Sequence, residues 1–197
     1  MYRRGVRRPP LRRTLARLVL RAAHWRTVGE VPERGVLVGA PHTSNWDWVL
    51  TLLLGWSYGI RIGLLVKAEW FRGPLGPVLR ATGAIPLDRD NPRATVRSLL
   101  AQAEGEHPFL LGIAAEGTRS RGEYWKSGFY RIAESSGLPI TLAFLDVPSR
   151  TVGWGPTFHP SGDVPADMER VRAFYADKRG FRPDNFTPPR LREEDRA

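Results

Sequence analysis

Residues 35–47 read GVLVGAPHTSNWD, and the chain changes from apolar to polar in the middle of this stretch. Residues 36–38 form a short apolar run that ends in Gly-Ala-Pro, which is typical of a buried strand followed by a turn. A pattern rich in Leu and Trp follows and predicts a helix over residues 46–58. A strand that leads directly into a helix is the building unit of a parallel α/β sheet.

The same alternation continues along the rest of the chain and indicates one domain. We expect further strands at residues 62–66, 84–87, 109–114 and 139–145, and one or two more over residues 151–159. We expect further helices at residues 70–81, 92–104 and 125–136, and a last helix marked by Val164, Met168, Val171 and Tyr175. The predicted fold class is therefore α/β, a single domain with a largely parallel central sheet flanked by helices.

Charge divides the chain of 197 residues into a basic arm and a nearly neutral body. Residues 1–29 hold nine arginines and no acidic residue, so only one unit of the net charge of +10 remains for residues 30–197. We expect an amphipathic arm over residues 1–29, the α/β domain over residues 30–181, and a Pro-rich tail over residues 182–197. The tail has no periodicity and is expected to be disordered or laid over the surface.

The arm contains a helical pattern over residues 11–25 that admits two interpretations. Leu11, Leu15, Leu18, Ala22 and Trp25 share one face, whereas Arg13, Arg17 and Arg21 share another. In the first interpretation the helix lies in the surface of an anionic membrane. In the second it packs on its own domain with a solvated charged face. The arm is also compatible with nonspecific nucleic-acid binding, although the body lacks a basic stripe and no specific nucleic acid is expected.

Composition excludes several classes of protein. The chain has no cysteine, which rules out disulfides, thiolate metal sites and cysteine nucleophiles. Its longest uncharged apolar run covers the 13 residues 48–60, whereas a membrane-spanning helix needs about 20.

The Arg-rich, acid-free start of the chain also resembles an organellar transit peptide. We expect a cytoplasmic protein that associates peripherally with the inner face of the membrane.

His42 and Asp47 form the first candidate for chemistry. His42 follows a predicted strand, and α/β folds place their sites at the carboxyl ends of such strands. A spacing of five residues suits a histidine in the loop and an aspartate in the first helical turn. The carboxylate can then accept from Nδ1–H and leave Nε2 as a general base. The pair lacks a third ligand at recognisable spacing, so no metal is expected.

Three further groups follow predicted strands. The stretch Glu116-Gly117-Thr118-Arg119-Ser120 offers a glycine for close backbone approach, two hydroxyls and an arginine fork for phosphate, while Glu116 can orient the fork or a substrate hydroxyl. Arg89 and Lys67 each come just after another strand. Each group alone also fits an ordinary solvated loop. Together with His42 and Asp47 they indicate a site that binds an anion next to a general base.

These residues resemble the glycerolipid acyltransferase family, whose best-known members are 1-acyl-glycerol-3-phosphate acyltransferases. His42 and Asp47 match the His-x4-Asp motif of that family, and residues 116–120 match its Glu-Gly-Thr-Arg-Ser block. Residues 83–89 are similar to the second block, and residues 138–140 to part of the fourth. The resemblance covers residues 35 to about 147.

The resemblance implies acyl transfer from an acyl thioester, either acyl-CoA or acyl carrier protein, to a hydroxyl of a glycerolipid-type acceptor such as 1-acyl-glycerol 3-phosphate. His42 would be the general base and Asp47 its partner, with no covalent intermediate and no other cofactor. The residues expected to bind the acceptor phosphate are Arg89, Glu116, Gly117, Thr118, Arg119 and Lys67. The residues expected along the acyl chain are Trp46, Trp48 and Leu52, although such an apolar run is also typical of plain core. An ornithine-type or glycosylated lipid remains an alternative acceptor.

Overall fold

A seven-stranded sheet lies at the centre of the structure. The computed structural model describes residues 10–87, 98, 99, 101 and 109–196. The strands are β1 (Arg26–Val28), β2 (Gly35–Ala40), β3 (Gly63–Lys67), β4 (Ala84–Leu87), β5 (Leu110–Ile113), β6 (Ile140–Asp146) and β7 (Thr151–Phe158). The α-helices of the described residues are α1 (Pro10–Ala22), α2 (Trp46–Tyr58), α3 (Leu75–Thr82), α4 (Gly128–Ser136) and α5 (Val164–Tyr175). Short 3-10 helices cover Ala68–Phe71, Pro183–Asn185 and Arg192–Arg196.

The strand order places the predicted motifs at one edge of the sheet. The order is β1-β7-β6-β2-β5-β3-β4, and every neighbouring pair is parallel except the antiparallel pair of β6 and β7. The largely parallel sheet expected from the sequence is confirmed. Because β2 and β5 are neighbours, the loops that follow them emerge side by side. The carboxyl ends of β3 and β4 lie farther along the same edge.

Helices cover both faces of the sheet, and β2 shows why. Its side chains alternate between the two faces, as the pleat of a strand requires. Val36 and Val38 belong to the core under α4 and α5, with Phe129, Met168 and Tyr175. Leu37 belongs to the core under α1 and α2, with Leu20, Leu50 and Leu54. The strand is therefore buried on both faces, which explains its uninterrupted apolar run.

Several elements have the predicted bounds, and others differ for local reasons. Helix α2 covers residues 46–58 as expected and ends where Gly59 adopts a left-handed φ of 76°. The helix expected at residues 70–81 is instead the 3-10 turn Ala68–Phe71 followed by α3, since Gly73 and Pro74 separate the two. Most of the helix expected at residues 92–104 lies outside the described residues.

The edge of the sheet at β1 was not predicted. Helix α1 ends at Ala22 rather than residue 25, and three exposed residues then pair with β7. A strand of this length and exposure has no apolar alternation, so the sequence carries no signal for it. Residues 151–158 form one strand, which agrees with the expectation of one or two.

Helix α1 packs on α2 through a narrow face. Ala16 and Leu20 are buried, at 1% and 3% exposure, whereas Leu11, Leu15 and Leu18 remain 76%, 58% and 58% exposed. The leucine face identified from the sequence therefore points away from the domain. Within the described residues, no helix combines the length and the apolarity that crossing a bilayer requires.

The chain after α5 lies over the surface of the domain, which is one of the two placements expected for it, and buried residues anchor it there. Thr187 and Leu191 are buried, at 0% and 1% exposure. Leu191 also forms a parallel bridge with Trp125. The packing of the domain thus extends well beyond residue 181.

Candidate active site

His42 and Asp47 meet at the carboxyl end of β2. His42 lies in the loop after the strand, and Asp47 lies in the first turn of α2, where the helix dipole favours a negative charge. The Nδ1 atom of His42 is 3.4 Å from Oδ2 of Asp47, and their side chains are 22% and 6% exposed. The arrangement leaves the imidazole reachable from solvent while its carboxylate partner is buried.

Backbone amides of the loop hold Asp47 in place. Its Oδ2 accepts hydrogen bonds of 2.7 Å from the N–H groups of both Thr43 and Ser44. Its Oδ1 is buried and has no hydrogen-bond partner among the described residues. The aspartate side chain is thus fixed by the same loop that carries His42. A preorganised carboxylate of this kind can orient an imidazole and stabilise its protonated form.

Glu116 lies directly beneath the His42 loop rather than facing outward. It is 2% exposed. Its Oε1 accepts a hydrogen bond of 2.5 Å from the backbone N–H of His42, and its Oε2 accepts one of 3.0 Å from the backbone N–H of Thr187. Burial raises the pKa of Glu116, against the opposing effect of the N–H groups of Thr187 and His42. From the sequence, Glu116 is expected among the residues that bind the acceptor phosphate. Because both of its carboxylate oxygens accept hydrogen bonds inside the fold, the structure does not support that role.

The residues after Glu116 do reach the surface. Gly117 has a φ of 70°, and a Cβ there would lie 2.9 Å from Cγ of Lys126, so the turn requires glycine. Thr118 and Arg119 are exposed. The Thr118 hydroxyl accepts a hydrogen bond of 3.3 Å from the N–H of Ser120. Arg119 therefore has the access that anion binding needs.

The remaining cations expected at the site lie farther along the sheet edge. Lys67 ends β3, which β5 separates from β2, so its backbone is displaced from that of β2 by at least the width of two strand spacings, about 10 Å. Its Nζ is 3.6 Å from Oε2 of Glu69. Arg89 lies outside the described residues.

The three residues expected along the acyl chain have different surroundings. Trp46 is 63% exposed at the start of α2. Trp48 packs against the small core group of Phe71 and Leu79, with its Nε1 buried and without a partner among the described residues. Leu52 is buried and lines a cavity of about 10 Å³, which is too small for an acyl chain. For Trp48 and Leu52 the geometry therefore fits the core interpretation better than a tunnel.

Sequence reasoning missed the contribution of the chain beyond α5. Thr43 is 0% exposed, and its Oγ1 accepts a hydrogen bond of 3.2 Å from the N–H of Arg182. Thr187 reaches Glu116 through its backbone. Backbone contacts between distant segments leave no residue pattern, so no signal in the sequence could have found them. Among the described residues, no group of three or more His, Asp or Glu side chains is arranged to hold a metal ion.

Comparison with known proteins identifies the family. The family model Acyltransferase matches residues 23–143, which is more than half of the chain and includes both the His42 and the Glu116 loops. The chain belongs to the Acyltransferase family. A comparison with curated proteins found no match.

The fold is shared with a solved structure. The crystal structure of the 1-acyl-sn-glycerophosphate (LPA) acyltransferase PlsC from Thermotoga maritima superposes with a TM-score of 0.58 at 14% sequence identity. The superposition covers 86% of this chain and 76% of that one. At this identity the likeness concerns the architecture, which is the same mixed sheet flanked by helices.

Proposed function

We propose that the protein transfers a fatty acyl group from an acyl thioester to a hydroxyl of a glycerolipid-type acceptor, with 1-acyl-glycerol 3-phosphate as the first candidate acceptor. The observation that carries the proposal is the pair of His42 and Asp47, 3.4 Å apart at the carboxyl edge of the sheet. Either acyl-CoA or acyl carrier protein can supply the thioester. The alternative acceptors are an ornithine-type and a glycosylated lipid.

The proposed mechanism is direct transfer by general-base catalysis. Nε2 of His42 takes the proton of the acceptor hydroxyl as its oxygen attacks the thioester carbonyl. The tetrahedral intermediate then collapses, the C–S bond breaks, and the thiolate takes the proton back from His42. Asp47 accepts from Nδ1–H of His42, which keeps Nε2 directed at the acceptor hydroxyl. Its charge stabilises the imidazolium that exists between the two proton transfers. General-base assistance of this type contributes about 10²–10⁴ in rate.

Anion binding would come from the outward-facing part of the same edge. Arg119 is exposed two residues beyond the Gly117 turn, and a guanidinium can bind a phosphate through two parallel N–H groups. Gly117 and Thr118 bring backbone and hydroxyl groups next to it. Lys67 and Arg89 remain candidates for the phosphate because both follow strands of the same edge. Glu116 is left out of this set because of its buried contacts.

We place the protein peripherally at the inner face of the membrane, and the exposed side of helix α1 supports the membrane association. Its exposed face carries Leu11, Leu15 and Leu18, which suits burial at the boundary between headgroups and acyl chains. The arginines divide between two roles. The Nε atoms of Arg13 and Arg17 donate to the Ser57 carbonyl at 3.3 and 3.1 Å and hold α1 on the domain. Arg12 lies over the ring of Trp56 and Arg26 donates to Oγ1 of Thr151, so both also contact the domain. Arg21 and the arginines at residues 3–8 would meet anionic headgroups.

The proposed function is tested by thiol release from long-chain acyl-CoA and from acyl carrier protein, with and without a panel of lyso-lipid acceptors. We expect acceptor-dependent release that His42→Ala abolishes. His159→Ala is the matched control, since His159 is exposed just after β7, at the opposite edge of the sheet. Absence of release with every donor and acceptor, from folded protein, would contradict the proposal.

A further inference from the structure

Residues 180–191, which we name the strap, cross the two loops that form the candidate site. At its start, the strap lies against the His42 loop. The N–H of Arg182 donates to Oγ1 of Thr43 at 3.2 Å. Gly180 is so close that a Cβ on it would lie 2.5 Å from Oγ1 of Thr43 and 3.1 Å from Cβ of Pro41. Only glycine permits this approach without a shift of one of the two segments.

The middle of the strap reaches Glu116. The N–H of Thr187 donates to Oε2 of Glu116, and the other oxygen of the same carboxylate receives the N–H of His42. One buried carboxylate thus joins the backbone of the proposed general base to the backbone of the strap. A buried carboxyl that loses one of these donors is left with an unsatisfied oxygen, which is costly.

The strap itself is anchored to the body of the domain. The indole N–H of Trp125 donates to the carbonyl of Thr187 at 2.7 Å, and the N–H of Gly122 donates to its Oγ1 at 2.8 Å. The N–H of Trp125 donates to the carbonyl of Arg190 at 2.8 Å. Because the strap is held on both sides of Thr187, the N–H of Thr187 has a fixed position and can fix the side chain of Glu116.

We infer that Glu116 is a positioning residue that fixes the backbone of His42 against the strap, so that acyl transfer requires residues 180–191. This inference rests on the proposed role of His42 as general base. It assigns a catalytic requirement to a segment that lies outside the part of the chain matched by the family, residues 23–143. It also separates Glu116 from the acceptor-binding residues. The elevated pKa of the buried carboxyl agrees with a group that is withdrawn from solvent and ligand.

The first test replaces Glu116 with glutamine. Its amide keeps one acceptor oxygen for two N–H donors, so the His42 loop loses its fixed position. A displacement of about 1 Å at a reacting group costs about 10² in rate, and we expect a loss of that order in kcat. We expect KM for the phosphate-bearing acceptor to change far less. A raised KM with unchanged kcat would make Glu116 an acceptor ligand and would overturn the inference.

The second test changes the strap and leaves Glu116 intact. Thr187→Pro removes the N–H that donates to Glu116, and Thr187→Ser is the matched control that retains both this N–H and the hydroxyl. Gly180→Ala pushes the strap away from Thr43, and Gly128→Ala is its control because a Cβ there meets nothing within 4 Å. We expect Thr187→Pro and Gly180→Ala to lower kcat and both controls to retain it. If Thr187→Pro does not fold, Gly180→Ala decides.

Amide hydrogen exchange of residues 42–44 provides a readout that needs no activity. Folded Glu116→Gln and the two strap variants should exchange these amides about tenfold faster than the wild type or the controls. If the wild type transfers no acyl group, the proposed function fails, and the exchange rates then judge only whether Glu116 and the strap fix the backbone of His42. Unchanged exchange and unchanged kcat in folded Gly180→Ala and Glu116→Gln would overturn it.

Discussion

Asp47 Oδ2 lies 3.4 Å from Nδ1 of His42 and at the same time accepts from two backbone N–H groups of the loop that carries His42. Oδ2 of Asp47 therefore contacts the imidazole and also holds the backbone of the loop that carries it. Moving the side chain would disturb both contacts, whereas replacing Asp47 with asparagine removes the charge and keeps an oxygen that can accept from the loop.

Asp47→Asn should lower kcat without unfolding the protein. The amide oxygen can still accept from the loop, whereas the charge that would stabilise the imidazolium in the proposed mechanism is lost, so we expect kcat to fall by a factor of about 10²–10⁴. Steady-state kinetics on the single variants and on the double variant with His42→Ala measures the coupling. We expect the double variant to be no slower than His42→Ala, because the two residues act as a unit. Multiplied losses in the double variant would show that Asp47 acts independently of His42.

The exposed leucines of α1 should govern binding to anionic vesicles. Replacing Leu11, Leu15 and Leu18 with glutamine removes apolar surface that the domain does not use, so the melting temperature should stay close to that of the wild type. We expect vesicle affinity to fall at least about tenfold in sedimentation assays.

A matched control uses two other exposed apolar residues. Leu75 and Val78 on α3 are 51% and 54% exposed, and their replacement with glutamine should leave vesicle binding nearly unchanged. Equal losses in both sets of variants would mean that α1 has no special part in membrane binding.

Tyr130 should contribute to stability through a buried polar network. Its hydroxyl donates to Oδ2 of Asp167 at 2.9 Å and accepts from the N–H of Gly162 at 3.2 Å. Burial and the bond to Asp167 raise the pKa of Tyr130 to about 12. Tyr130→Phe leaves Asp167, which is 0% exposed, without this donor. We expect the free energy of unfolding, measured in urea, to fall by about 1–3 kcal/mol. In Tyr58→Phe, which removes a longer and exposed bond to the Gly29 carbonyl, the loss should stay below about 0.5 kcal/mol.

The raised pKa of Glu116 should make the wild type less stable relative to Glu116→Gln as pH rises. Folding favours the protonated carboxyl, because its pKa in the folded state lies above the value of 4.5 for an exposed group. The stabilisation linked to that proton is complete below the unfolded pKa and is lost as pH rises through the folded pKa. Glutamine does not titrate. The free energy of unfolding is measured in urea from about pH 4 to about pH 8 for the wild type and for Glu116→Gln. The value for the wild type minus that for the variant should fall as pH rises, and a constant or growing difference would refute this prediction.

Local patterns explain why so much of the fold could be predicted. The apolar run of β2 and the helix from Trp46 to Tyr58 are both recognisable within a window of a few residues, and Gly59 marks the end of the helix. The alternation of strands and helices then fixes a parallel sheet with its loops at one edge. The proximity of His42 and Asp47 follows from these same local rules.

What could not be predicted depends on contacts between distant parts of the chain. The burial of Glu116 requires the N–H of Thr187, which lies 71 residues later. The placement of Leu11, Leu15 and Leu18 required knowing that α1 uses Ala16 and Leu20 against α2. Amphipathic spacing identifies which residues share a face, but only tertiary packing determines which face is covered.

The position of the strap in the chain also orders events during synthesis. A ribosome adds every strand of the described sheet before it adds Thr187. A chain that ends before Thr187 therefore carries every strand of the described sheet, yet the carboxylate beneath His42 lacks its second donor. Under the inference drawn above, the last residues added to the chain supply the support of the general base rather than the scaffold.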